Sequence, residues 1–327
     1  MVKFGVSYVD AKNIAMDVFA ENFTKLSHEA HRVAFERAEE FVANYLHELH
    51  SRNPTAIGNL QDPGIQSNIL GAQSGFAKSG DQDLGEVLVD ILVDRTGRTD
   101  RNITALSLSQ ALDVVQKLTT AQFAALSASF IFKELAAVGL SSHHDLYKRY
   151  LGYTHPFDGV LQTLTSSDLQ YLAALGCMTV SASPFSIPQM LRSEYTGFFA
   201  RGLDADVVTF IKDLVGTPLL RRSLRDASLW EFDALGEEIL TEKLQGLGLA
   251  DRKDLFLELS RNNLLSDEDI LEEFGASDPM MRRLLSAYND LGLPHYSNTA
   301  IGTAIGHANL RRETGGAFDT SVEVWIS

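Results

Sequence analysis

The sequence predicts an all-α fold, a multi-helix bundle or irregular helical stack with a long N-terminal helix and a small winged-helix-like C-terminal tail. Three observations predict it. Apolar residues recur at three- and four-residue steps from Ala11 almost to residue 291, the repeat of one face of an α-helix. The links between these segments are short and carry Gly, Pro, Ser or Asp, which places successive helices side by side and antiparallel. Alternation with period two, the mark of a half-buried strand, is clear only in the last ten residues.

Residues 7–52 form the first segment. Ser7 and Asp10 frame a capping-box-like start, and after Gly5 no Gly or Pro recurs until Pro54. Ile14, Val18, Phe23, Leu26, Ala30, Val33, Phe41, Tyr45 and Leu49 supply the apolar stripe; Glu29, Arg32, Glu36 and Glu40 lie opposite. The pattern fits one amphipathic helix, roughly 65 Å long at 1.5 Å per residue, or two helices parted near Ser27 acting as a second N-cap. A helix of that length either crosses the body or meets a partner. Self-association through it is the partner expectation.

Asp62-Pro63-Gly64 opens the next helix, with Pro in its first turn. Asp81 or Asp83 opens another, through Leu84, Val87, Leu88, Ile91 and Leu92. Further helices are expected near 103–117, 120–138, 142–151, 157–164 and 166–175. A Ser- and Pro-rich stretch at 181–188 marks a boundary between domains at 1–182 and 183–327. Beyond it helices are expected near 187–200, 204–214, 217–225, 227–247, 251–262, 266–274 and 278–291. A short helix to about Arg311, a Gly315-Gly316 turn and a strand at 318–326 complete the winged tail.

Composition excludes more than it assigns. The formal charge is −15, shared as −6 over residues 1–182 and −9 over 183–327. Such a surface repels phosphate backbones, so nucleic-acid binding is not expected without a local basic patch, whereas a protein partner fits. Lone Cys177 excludes an internal disulfide and a multi-cysteine zinc site, and reads as a small buried hydrophobe. The amino terminus has no apolar signal segment. The least polar stretch, residues 118–132, falls short of the ~20 apolar residues a membrane span needs. No membrane association and a cytoplasmic location are expected. Phosphate-cradling loops of the Gly-x-x-x-x-Gly-Lys-Ser/Thr type, Gly-x-Ser-x-Gly elbows and strand-borne Gly-x-Gly-x-x-Gly turns are all missing, so no catalytic residue and no cofactor is assigned.

Two constellations could carry chemistry. Glu86, Asp90 and Asp94, at i, i+4 and i+8, stack three carboxylates on one helical face. They form a possible metal or acidic site, against the plainer reading of a solvated face opposite Leu84, Val87, Leu88, Ile91 and Leu92. Arg282, Arg283, Arg311 and Arg312 are possible nucleic-acid contacts beside the winged tail, although residues 277–327 hold only four basic residues against five acidic. The pairs His28/His31 and His47/His50 sit at i, i+3. That is one residue short of a His-Glu-x-x-His metal helix, so they read as exposed histidines. No metal is assigned to any residue.

Ser7-Tyr8-Val9-Asp10-Ala11 with Ile14 to Phe23, Asp62-Pro63 with Gln66, and Asp81 to Arg95 resemble an uncharacterised bacterial family known by locus-tag names. Leu118-Thr119 with Gln122, Thr299 to Arg311, and Val324-Trp325-Ile326 extend the likeness over nearly the whole chain. The resemblance implies no reaction and no site residues. The Thr-x-x-Gly tail is also loosely similar to the C-terminal segment of abortive-infection proteins, which implies a phage-defence context. The expected function is that of a non-enzymatic helical interaction or oligomerisation protein. The alternatives are a DNA-associated regulator working through the winged tail and a metal-dependent enzyme using Glu86, Asp90 and Asp94.

Overall fold

The computed structural model describes residues 7–22, 27–234 and 236–326. Helices dominate: α1 (Tyr8–Asn22), α2 (His28–Arg52), α3 (Pro63–Ser79), α4 (Gln82–Thr96), α5 (Ile103–Val115), α6 (Thr120–Lys133), α7 (His143–Thr154) and α8 (Ser166–Ala174) fill the first half. The second half adds α9 (Ile187–Glu194), α10 (Ala205–Phe210), α11 (Glu237–Gly246), α12 (Lys253–Asn262), α13 (Asp267–Ser277), α14 (Pro279–Asp290) and α15 (Ala300–Glu313). Four three-residue strands complete the set: β1 (Met178–Val180), β2 (Leu220–Arg222), β3 (Trp230–Phe232) and β4 (Tyr296–Asn298). No helix among the described residues is long and apolar enough to cross a membrane.

The chain divides into two compact units, each assembled from separated stretches. Unit 1 comprises Met1–Phe130, Val160–Val180 and Tyr296–Ser327; unit 2 comprises Ile131–Gly159 and Ser181–His295. The Ser/Pro-rich boundary anticipated at 182/183 lies beside one of the points where the chain passes between them.

In unit 1 the N-terminal segment is two helices. Residues 23–26, with Phe23 and Leu26 of the expected stripe, lie outside the described residues, as do residues 1–6. Ser27 caps α2, its Oγ accepting from Ala30 N. Asn53, at φ −151°, stops the helix just before Pro54. The α2 stripe of Ala34, Ala38, Phe41, Val42, Tyr45, Leu46 and Leu49 is buried against α3 and α4 of the same chain. That stripe is therefore covered from within the chain. Asp62 caps α3 through bonds from Gly64 N and Ile65 N, and Gly80 ends it in the left-handed region at φ 65°.

At the centre of unit 1, α4 and α15 are buried nearly all round. Residues Leu84–Gly85, Val87–Val93 and Thr96 of α4 are buried, as is every residue of α15 from Gly302 to Leu310. Gly302 and Gly306 let α15 meet neighbouring backbone directly. A Cβ at Gly302 would lie 2.0 Å from Cys177 O, and one at Gly306 would lie 2.7 Å from Leu126 O. Strands β1 and β4 pair antiparallel, Met178 opposite Asn298, and deliver the chain into α15, capped by Thr299.

The tail is not a wing. Residues 318–321 are irregular, and Val322–Val324 form a single 3-10 turn. A strand needs a partner ladder, but here the Phe318, Asp319 and Thr320 carbonyls accept from Arg311, and Thr320 O also meets His307. Buried residues fall at Phe318, Val322 and Ile326, four apart, while Val324 stays exposed. Thr104 Oγ1 donates to Ile326 O, and Phe130, His307, Phe318 and Trp325 pack edge to face, fastening the segment to the bundle.

Unit 2 holds α7, α9–α14 and a hairpin. Helices were expected at 217–225 and 227–247, yet β2 and β3 pair antiparallel with Leu220 opposite Phe232, and α11 starts only at Glu237. The Asp226 turn, whose Oδ1 accepts from Ser228 N, reverses the chain. Leu219, Leu220 and Phe232 then pack with Leu240, Leu244 and Phe256 in a small core. The helix expected at 157–164 is likewise two 3-10 turns, His155–Phe157 and Leu161–Thr163, parted by Gly159 at φ 78°.

Candidate metal centre and polar cleft

Unit 1 carries a cleft of about 1250 Å³ lined from α2, α4, α15 and the tail. Seven carboxylates face it against four guanidiniums, those of Arg52, Arg98, Arg311 and Arg312. Asp90 and Asp94 lie on its floor and Glu86 on its wall. The carboxylate trio is thus split by depth: Asp90 is 7% exposed, Asp94 half-buried and Glu86 exposed. The part of the face that carries Asp90 and Asp94 is not solvated, because Arg52 of α2 and Arg311 of α15 close over it, whereas the Glu86 end is.

Arg52, the last residue of α2, spans the pair. Its Nη1 reaches Asp90 Oδ1 at 2.5 Å and its Nη2 reaches Asp94 Oδ1 at 2.8 Å. Arg311 approaches from α15, with Nη1 at 3.5 Å from Asp90 and 3.8 Å from Asp94. Its Nε and Nη2 donate to the three tail carbonyls, so one guanidinium joins the carboxylate pair to residues 318–320. Despite these cations, Asp90 Oδ2 is buried with no hydrogen-bond partner. Burial, resisting Arg52 and reinforced by Asp94, pushes the Asp90 carboxyl up to about 6.

His307 completes the cluster, and sequence reasoning missed it. One ligand atom each from Asp90, Asp94 and His307 lie within 4.8 Å of one another. His307 Nε2 is 2.7 Å from Thr320 O. A carbonyl only accepts, so Nε2 carries the proton. Burial pulls the ring down to about 4, which keeps it neutral and leaves Nδ1 as a bare lone pair. A neutral histidine whose other nitrogen is fixed by a carbonyl is the usual form of a metal-ligating imidazole.

The two shifts have opposite signs in stability. His307 ordinarily titrates at 6.5, so on acidification from 6.5 to about 4 the unfolded chain takes the proton first and stability falls. Asp90 ordinarily titrates at 3.8 but in the fold at about 6, so acidification through that window favours the fold. Relative to wild type, Asp90→Asn should therefore lose stability as pH drops from 6 to 4, and His307→Gln should gain. Urea unfolding at stepped pH measures this; curves that run parallel to wild type for both variants contradict the assignment.

Three of the four basic residues expected near nucleic acid, Arg283, Arg311 and Arg312, are paired with carboxylates. Arg312 meets Asp83 at 2.6 Å and Glu86 at 3.8 Å, and its side chain, like that of Arg311, is 12% exposed. In unit 2, exposed Arg283 pairs with Asp158 at 2.6 Å, and Arg282 lies against Gly275. His28, His47 and His50 are exposed, and Cys177 is buried with its thiol pushed up to about 12 by burial.

Neither the curated proteins nor the solved structures contain a match to this chain. A family model described as ":-like" matches residues 5–326, a span that includes α2, α4, α15 and the tail, and the description names no reaction. The chain is a member of the family which that model defines.

Proposed function

We propose that the chain is a metal-dependent enzyme in which Asp90, Asp94 and His307 hold a divalent transition-metal ion on the floor of the unit 1 cleft. The observation that carries this is the buried, unpartnered Asp90 Oδ2 beside Asp94 and the His307 ring. A buried carboxylate oxygen without a donor is costly, and a cation is the partner that would satisfy it. An imidazole with two carboxylates suits manganese, iron or zinc better than magnesium or calcium, which prefer oxygen alone. Thr320 O supplies the outer bond that orients the imidazole. Three protein ligands leave coordination positions open toward the cleft, where the ion would act as a Lewis acid on a polar substrate. Glu86, on the wall beside Arg312, is not among the ligands in this reading.

Equilibrium dialysis against Mn2+ or Zn2+ followed by elemental analysis tests it. One ion per chain is expected, weakened by about tenfold or more in Asp90→Asn and His307→Gln and unchanged in Glu86→Gln. No uptake, or uptake indifferent to Asp90 and His307, would remove the metal centre. The winged-tail DNA reading has less support, since Arg311 and Arg312 are engaged by carboxylates and no wing strand forms. The abortive-infection likeness of the tail has no counterpart in the comparisons and contributes nothing to this reading.

A further inference from the structure

Two carboxylates and two guanidiniums meet on the cleft floor, and the two cations are held very differently. Arg311 is tied by three tail carbonyls and has only 12% of its side chain exposed. Arg52 touches Asp90 and Asp94, keeps a quarter of its side chain exposed, and stands at the end of α2 on the cleft wall. A metal held by Asp90, Asp94 and His307, whose ligand atoms lie within 4.8 Å of one another, would compete for the same carboxylate oxygens that Arg52 bonds. One guanidinium bridges both carboxylates. An ion entering beside both arginines would bring three cations to two carboxylates, and Arg52, the more exposed of the two and without bonds to the tail, is the better placed to leave.

We infer that Arg52 is the resident cation of the Asp90–Asp94 pair, and that an incoming metal ion displaces its guanidinium into the cleft, where it receives an oxyanion of the substrate, phosphate or carboxylate. This deepens the metal-centre reading and rests on it. The displaced planar fork has two parallel N–H donors with the spacing that either oxyanion accepts. Metal and anion would then bind with positive linkage, because each stabilises the arrangement in which Arg52 has left the carboxylates.

Calorimetric titration of the full chain with Mn2+, alone and with inorganic phosphate or acetate present, tests this. In wild type, at least one anion should tighten Mn2+ binding about tenfold; which one does so identifies the substrate group. Arg52→Met should bind Mn2+ alone about tenfold more tightly, having lost its competitor, with no further response to either anion (tenfold being the order of one ion pair). Arg52→Gln, which keeps a polar side chain at the end of α2, should behave as Arg52→Met does and guards against a packing artefact. Equal Mn2+ affinity in wild type and both variants, or an anion response that survives without Arg52, overturns the inference while leaving the metal centre standing. Failure of all three proteins to bind Mn2+ removes the metal centre itself.

Discussion

Adding one methyl group at Gly302 or Gly306 should lower the stability of unit 1 by more than ~3 kcal/mol, beyond the usual cost of overpacking. The obstruction is backbone in both cases: Cys177 O at 2.0 Å from the Gly302 Cβ position, and Leu126 O and C at 2.7 and 2.8 Å from that of Gly306. No rotamer change relieves it, so α15 would have to move as a body. That movement would carry His307 and Arg311 away from Asp90 and Asp94 and break the bond from Asn309 to Ser127 Oγ. Gly71→Ala is the internal control. It sits in α3 with nothing within 4 Å of its Cβ position, and alanine should be neutral or stabilising by up to about 1 kcal/mol. Urea unfolding read by Trp325 fluorescence in a Trp230→Phe background separates the three variants. Stability of Gly302→Ala and Gly306→Ala within ~1 kcal/mol of wild type would mean that the close approach of α15 is wrong.

Arg311→Ala should cost about 3–5 kcal/mol, the range for breaking a buried ion pair by removing one partner. Asp90 and Asp94 would share Arg52 alone, and three tail carbonyls would lose their donor at once. Lysine should rescue little, because one ammonium cannot serve two carboxylates and carbonyls on the far side together. Limited proteolysis adds a readout that overall stability does not: cleavage within 317–326 should rise in Arg311→Ala and Arg311→Lys before the bundle itself is cut. A tail as protected in Arg311→Ala as in wild type would break the link between the carboxylate pair and residues 318–320.

The helices were legible because their apolar periods and caps agree. Ser27, Asp62 and Asp81 each stand where a side chain accepts from the first turn. The depth of Asp90 and Asp94 was harder to read. Leu84, Val87, Leu88, Ile91 and Leu92 satisfy the rule for one buried face, which casts the carboxylates as solvated. The missed signal is Val89 and Val93, each beside a carboxylate on that supposedly wet face, and both are buried. His307 was passed over for a related reason. It stands in Ala-Ile-Gly-His-Ala-Asn-Leu, a helix with no polar face, and a lone ionisable residue there must be buried and bonded. The hairpin at β2 and β3 left almost no trace, because three-residue strands bearing Arg221, Arg222 and Glu231 cannot show alternation. The tail misled in the other direction: Val322, Val324 and Ile326 alternate as letters, but Arg311 and His307 take up backbone carbonyls that a ladder would need.

The division of unit 1 along the chain sets the order in which the molecule can mature. As the polypeptide emerges from the ribosome, Asp90 and Asp94 appear more than two hundred residues before Arg311 and His307. Until then α4 lacks the helix that covers it, and α15 must thread its two glycines against α6 and Cys177 once the intervening stretch has emerged. Closure of this unit is a late, long-range event, slow by the measure of contact order. A nascent chain stalled before residue 300 would expose the apolar flank of α4 and an acidic pair with one arginine for company, the kind of surface that quality-control chaperones retain.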